Sequence, residues 1–119
     1  MVPFTLAQEL KSAGFAQDSA PEAVYALNDH LRIRREHAHH LWYGSKNKAG
    51  LPLELEHEAV YTPTLSDLLI ACGKPLQLAC QEAGNWEAST TLPIGPLVGE
   101  GETAEEALGR LWLLMQRST

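Results

Sequence analysis

The stretch from Thr62 to Arg117 constrains the fold of this chain more than any other, because it carries two separate helix starts with strand-like segments between them. The first start is Thr64-Leu65-Ser66-Asp67, in which a Thr cap precedes an acid at the third helical position, well placed on the helix dipole. Leu65, Leu68, Leu69 and Cys72 follow at helical spacing as the expected buried stripe, and Gly73 with Pro75 supplies the stop. The second start is Thr103-Ala104-Glu105-Glu106, a T-x-x-E capping box with both acids in the first turn. Ala104, Ala107, Leu108, Leu111, Trp112 and Met115 then form a wide apolar face, broadened by Leu114. Gly109 costs about 1 kcal/mol against Ala in a helix, which close packing on a sheet would explain. Between the helices, Leu76 to Gln81 and Trp86 to Leu92 read as strands joined by a turn at Glu82-Ala83-Gly84-Asn85. In the second of these strands Trp86, Ala88 and Thr90 face one way. Leu97 to Glu100 reads as a third, short strand after an irregular Pro93, Gly95, Pro96 connection.

The first half is less regular. Thr5-Leu6-Ala7-Gln8 fits a capping box, and Leu6, Ala7, Leu10 and Ala13 give a helical core stripe. Gly14 stands where a left-handed residue ends a helix, and Phe15 where it packs back on Leu10. Val24 to Leu27 reads as a strand and Asn28-Asp29 as a turn. Leu31, Ile33 and Arg35 alternate with Arg32, Arg34 and Glu36, as in a half-buried strand. Gly44 to Pro52 reads as a loop. Leu53 to Tyr61 alternates again, which suggests a hairpin partner for Leu31 to Tyr43. TLAQELKSAG and TLSDLLIACG echo each other, and shared capping chemistry explains this as well as duplication does. The expectation is one α+β domain over 1–119: an antiparallel sheet with short helices packed on it, ordered α-β-β-β-α in the second half.

With 119 residues the chain suits one compact domain. No apolar run approaches the roughly 18–20 residues of a membrane span, and MVPFTLAQELK lacks the basic and apolar segments of a secretory signal. A cytoplasmic protein is therefore expected, with Cys72 and Cys80 as buried, reduced thiols. The formal net charge is −6. From Pro63 onward three basic residues face seven acidic ones, so this half repels phosphate.

The residues that could carry chemistry are few. His37, His39 and His40 lie close together, and on a strand the first two would share a face. Neither Cys has a C-x-x-C partner and there is no H-E-x-x-H, so the cluster reads as a polar strand end and no metal or other cofactor is implied. There is no G-x-S-x-G elbow. The glycines of GPLVGEGET lack the Lys of a phosphate loop and read as a turn. The chain is therefore expected to be non-catalytic. Arg32, Arg34, Arg35, Trp42 and Tyr43, with Lys46 and Lys48, mix cations with aromatics and form the candidate partner-binding surface. The same mixture suits single-stranded nucleic acid, the alternative reading, against which the net charge argues.

PTLSDLLIACG, the Trp-led strand and GETAEEALGRLWLLM resemble a group of small phage and prophage proteins, as does LAQELKSAGF near the start. The second half is also similar to a phage α-β-α sandwich domain. The group carries no established activity, so the resemblance implies a setting: an accessory protein whose partner is a phage or host protein, or a second copy of itself. Gly101 to Ala107 resembles the strand–helix junction of HicB-like antitoxins. The α-β-β-β-α order resembles double-stranded RNA-binding domains. Glu105 and Glu106, however, occupy the places where those domains carry phosphate-contacting lysines, and RNA binding through this face is rejected.

Overall fold

The computed structural model describes residues 2–36, 59–73 and 75–117. Among the described residues the architecture is α+β: three helices and two three-stranded antiparallel sheets. In chain order the elements are α1 (Phe4–Ser12), β1 (Val24–Ala26), β2 (Arg32–Arg34), β3 (Val60–Tyr61), α2 (Leu65–Cys72), β4 (Gln77–Cys80), β5 (Trp86–Leu92), β6 (Gly95–Gly101) and α3 (Ala104–Arg117).

The second half folds as its sequence dictates. β4, β5 and β6 form one meander in that order. Trp86, Ala88 and Thr90 turn inward, and Ala88 is fully buried. The inward Thr90 hydroxyl needs a partner once it leaves water. It donates to the Pro75 carbonyl at 2.8 Å, tying the exit of α2 to the sheet. β6 is longer than expected. A two-residue turn, Pro93-Ile94, brings Leu92 opposite Gly95, and Pro96 lies within the strand. Proline is tolerated because β6 is an edge strand and needs no outward N–H.

α3 lies across the inner face of this sheet. All six residues of its expected apolar face are buried, and Leu113 joins them. The closeness of helix and sheet comes from β6 rather than from the helix. Gly99 and Gly101 would drive a Cβ into the backbone and side chains of α3, whereas a Cβ on Gly109 would meet Leu6 Cδ2 of α1 at 3.2 Å. Gly109 therefore accommodates the first helix, which corrects the sheet-packing expectation. The cap also differs in detail. Thr103 Oγ1 accepts the Glu106 N–H at 3.1 Å, but Glu106 reaches back to the N–H of Glu102 instead of Thr103. Glu106, itself buried, pairs with Arg110 at 2.7 Å, and Arg110 donates to the Glu100 carbonyl at 2.9 Å.

α1 ends as read. Phe15 N–H donates to the Leu10 carbonyl at 2.9 Å and Gly14 N–H to Lys11 at 3.0 Å, the two bonds of a Schellman stop. Its start is different: the helix begins two residues earlier, with Pro3 as cap and no side-chain capping bond, so Thr5 sits exposed in the first turn. Ala13 is likewise exposed at the C-cap. In α2 the Thr64–Asp67 box is complete and Gly73 adopts the left-handed conformation. Only Leu68 and Cys72 of its expected stripe are buried, while Leu65 and Leu69 reach solvent. Cys80 is exposed at its strand end, contrary to the expectation of two buried thiols.

The smaller sheet runs β2-β1-β3. Asn28 Oδ1 accepts the His30 and Leu31 N–H groups and makes the β1–β2 turn. The described end of the expected Leu53 to Tyr61 strand pairs with β1, on the side away from β2. Val60 and Tyr61 are thus neighbours of the first strand, and the rest of the hairpin expected between Leu31 to Tyr43 and Leu53 to Tyr61 lies outside the described residues. Ala26 and Val60 join the main core on one face, and Tyr25 and Tyr61 meet on the other. Among the described residues no helix is long and apolar enough to cross a membrane.

Candidate functional site

A cleft of about 440 Å3 opens where the loop after α1, the end of β3, α2 and α3 converge. Phe15 and Trp112 form one wall. Their rings meet edge to face, centroids 5.0 Å apart at 76°, an arrangement worth about 1 kcal/mol beyond area burial. Phe15 is placed by the Schellman stop of α1, and Trp112 by the buried register of α3. Ile70 and Ala71 of α2 form the opposite wall, and Asp18, Tyr61 and Asp67 add the polar groups.

Each polar group is held from behind. Tyr61 N–H donates to Gln17 Oε1 at 2.8 Å, so a side chain and not a described strand satisfies it. The Tyr61 ring packs at 5.7 Å on Tyr25. Tyr25 in turn donates its hydroxyl to the Asp18 carbonyl at 2.6 Å, and Asp18 Oδ1 accepts the Ala20 N–H at 2.9 Å. Across the cleft, the Tyr61 hydroxyl donates to Asp67 Oδ2, the same oxygen that accepts the Thr64 N–H at 3.1 Å. The acid that caps α2 therefore also anchors β3.

The electrostatics follow from this geometry. Burial first, and the Asp67 carboxylate second, push the Tyr61 phenol well above its ordinary range, so it stays a donor. Burial alone would raise Asp67. The bonds from Tyr61 and Thr64 outweigh it and hold the carboxyl below its usual value, so it stays an anion. A native value below the unfolded one, about 3.9, gives stability that is present above that pH and lost as pH falls through the native value. Tyr61→Phe removes one bond to this anion. It is expected to cost about 1.5 kcal/mol at neutral pH and to move the acid-unfolding midpoint upward. Acid titrations followed by circular dichroism check this, and coincident midpoints for the two proteins would refute the pairing.

The sequence-derived partner surface is only partly in view. Arg34 is exposed and pairs with Glu36 at 2.7 Å. The Arg35 guanidinium lies 5.7 Å from the Tyr25 ring centroid. Arg32 is half-buried, and its Nη1 has no hydrogen-bond partner among the described residues. Trp42, Tyr43, Lys46, Lys48 and the histidines at 37, 39, 40 and 57 lie outside the described residues. Among the described residues no group of three His, Cys, Asp or Glu could hold a metal ion. Burial pushes the Cys72 thiol up, away from the thiolate that nucleophilic chemistry requires. A larger concavity, about 690 Å3, lies on the outer sheet face between residues such as Gln77, Ser89, Thr91 and Val98. No aromatic residue is among its described lining, which mixes polar side chains with Pro75, Leu76, Pro96 and Val98.

By sequence Phe15 and Trp112 read as core, Asp67 as a cap, Tyr61 as a strand residue and Asp18 as a loop residue, none of them as part of a site. Only the aromatic and acidic types at strand and helix ends could have hinted at the cleft. Comparison of the chain with protein-family models, with curated proteins and with solved structures gave no significant match.

Proposed function

We propose that this chain is a phage-type accessory protein that works by contact with another protein and carries out no chemistry of its own. The observation that carries the reading is Ile70, which is 77% exposed at the mouth of the apolar cleft. A lone exposed apolar residue is ordinary. Here, however, the eight-residue α2 also exposes Leu65 at 37% and Leu69 at 41%. An apolar helix surface beside a cleft with an aromatic wall is the usual form of a docking site. The phage setting rests on the resemblance of the two chain ends. The contact reading is favoured over nucleic acid by the net charge of −6 and by the engagement of Arg34 and Arg35 with Glu36 and Tyr25.

A photo-crosslinking residue at Ile70, compared with one at Ser89 on the outer sheet face, tests the proposal in phage-bearing host cells. A discrete protein adduct is expected from position 70 and none from 89. A second copy of this chain as the adduct would identify self-association. Ile70→Asp should lower affinity for the recovered protein about tenfold or more, as for an interface anchor. Equal adducts at both positions would overturn the reading. So would oligonucleotide binding that persists at physiological salt and disappears when Arg34 and Arg35 are both replaced by Ala.

A further inference from the structure

We propose that the cleft between Phe15, Ile70 and Trp112 is a socket for one lysine or arginine side chain carried on an apolar segment of the partner protein. The inference rests on the contact reading above and gives the partner a chemistry. Among the described residues, every charged side chain lining the cleft is an acid: Asp18 and Asp67. The remaining lining, apart from the Tyr61 hydroxyl, is aromatic or aliphatic, with Ile70 and Ala71 facing the Phe15–Trp112 pair. Long basic side chains have this same division, an apolar stem below a cationic head.

The acids are suited to the task in different ways. Asp67 is fixed by Tyr61 and by the Thr64 N–H, both of which bond to Oδ2, while Oδ1 takes part in neither bond. A cation can therefore approach Oδ1 without dismantling the cap of α2. Asp18 is exposed at the other side of the mouth, held by its own turn. Such a pair attracts a cation during approach and fixes it on arrival.

Other occupants fit worse. An acidic side chain or a phosphate would face two carboxylates, with no cation among the described lining residues. A wholly apolar plug would strip water from Asp67 and return nothing to it. A divalent ion would find two carboxylates and an already bonded phenol, too few hard ligands for the six to eight that calcium takes. The volume of about 440 Å3 exceeds one side chain, which leaves room for the apolar residues next to the cation.

The test uses the full chain, labelled with 15N, and three probes: an end-blocked leucine–lysine amphipathic peptide, its glutamine counterpart, and n-hexylammonium. The leucine–lysine peptide is expected to shift the amide signals of Asp67 and Ile70 and the indole N–H of Trp112. The glutamine peptide should bind about tenfold more weakly, the scale of one desolvated charge pair. Asp67→Asn and, independently, the exposed Asp18→Asn should each weaken the lysine peptide and leave the glutamine peptide unchanged. Because Asp18 lies outside every helix and strand, its variant tests the charge even where the other disturbs the α2 cap. Equal binding of the two peptides would overturn the socket. Hexylammonium binding as tightly as the peptide would overturn the partner side chain in favour of a small free amine. Partner capture that depends on Ile70 but ignores both Asp variants would remove the socket and keep the contact reading. Peptide binding without any Ile70-dependent partner would remove the contact reading alone.

Discussion

Alanine at Gly99 is expected to lower stability by about 3 kcal/mol, at the upper end for forcing extra volume into a packed core. A Cβ built there falls inside van der Waals contact of the Ala107 carbonyl oxygen and 2.5 Å from the Leu111 nitrogen. Both atoms are helix backbone, so no rotamer change can relieve the clash. α3 would have to lift from β6, and the buried face of the helix would lift with it. For a domain of this size the thermal midpoint should fall by on the order of 10 °C. Gly84→Ala is the control. It too carries a backbone demand, with φ at 88°, but a Cβ there meets nothing within 4 Å. Its cost should be about 1–2 kcal/mol, that of a left-handed residue alone. Calorimetry on the two variants separates close approach from backbone conformation. A Gly99→Ala protein that melts no lower than Gly84→Ala would show that α3 does not sit on the glycines of β6.

Gly99 also shows where sequence reasoning stops. A glycine in GPLVGEGET reads as a turn residue, because its usual role is conformational. Nothing local says that a helix backbone will rest on it. The same blindness exchanged the roles of the glycines, with Gly109 assigned to the sheet when it faces Leu6. What was legible depended on periodicity over a long element. The 14 residues of α3 repeat their apolar positions often enough to fix one face. The eight of α2 do not. With two turns and four apolar candidates the pattern cannot say which pair is buried, and the structure buries Leu68 and Cys72. Capping chemistry was legible where a Thr and an acid lie three residues apart, at Thr64 and Thr103. It misled at Thr5, where Pro3 already supplies the extended cap conformation and Gln8 remains exposed.

Strand pairing was the least legible feature, since alternation identifies a strand but not its neighbour. β3 chooses β1, where Thr62 bonds twice to the Val24 carbonyl, through N–H at 2.9 Å and hydroxyl at 2.8 Å. The cleft inherits this difficulty. Its walls come from α1's exit, β3, α2 and α3, so no spacing in the sequence encodes it. Tyr61 and Asp67 are six residues apart and look unrelated until a cap and a strand end are brought together. The Arg32 to Tyr43 surface drew notice for the opposite reason, because its cations and aromatics are adjacent in the chain.

Leu111→Ala is expected to cost about 2–5 kcal/mol, the range for deleting a fully buried leucine side chain and leaving a partial cavity. Leu111 is 0% exposed and lies over Gly99, with Leu108 and Met115 one turn to either side on the same buried face. The surrounding backbone is locked by the β5–β6 register, so the site cannot collapse to fill the void. At roughly 4 °C per kcal/mol the midpoint should fall by about 8–20 °C. Leu114→Ala, half-exposed on the same helix, should cost about 1 kcal/mol or less. Denaturant melts on both variants decide the register of α3, and the result reaches beyond stability. Trp112 follows Leu111 directly and can line the cleft only if Leu111 points into the core. If the two leucines proved equally tolerant, the helix would be rotated, Trp112 would leave Phe15, and the cleft would lose its aromatic wall. A large loss at Leu111 alone fixes the wall in place and leaves the acids opposite it as the part of the site to be probed by charge.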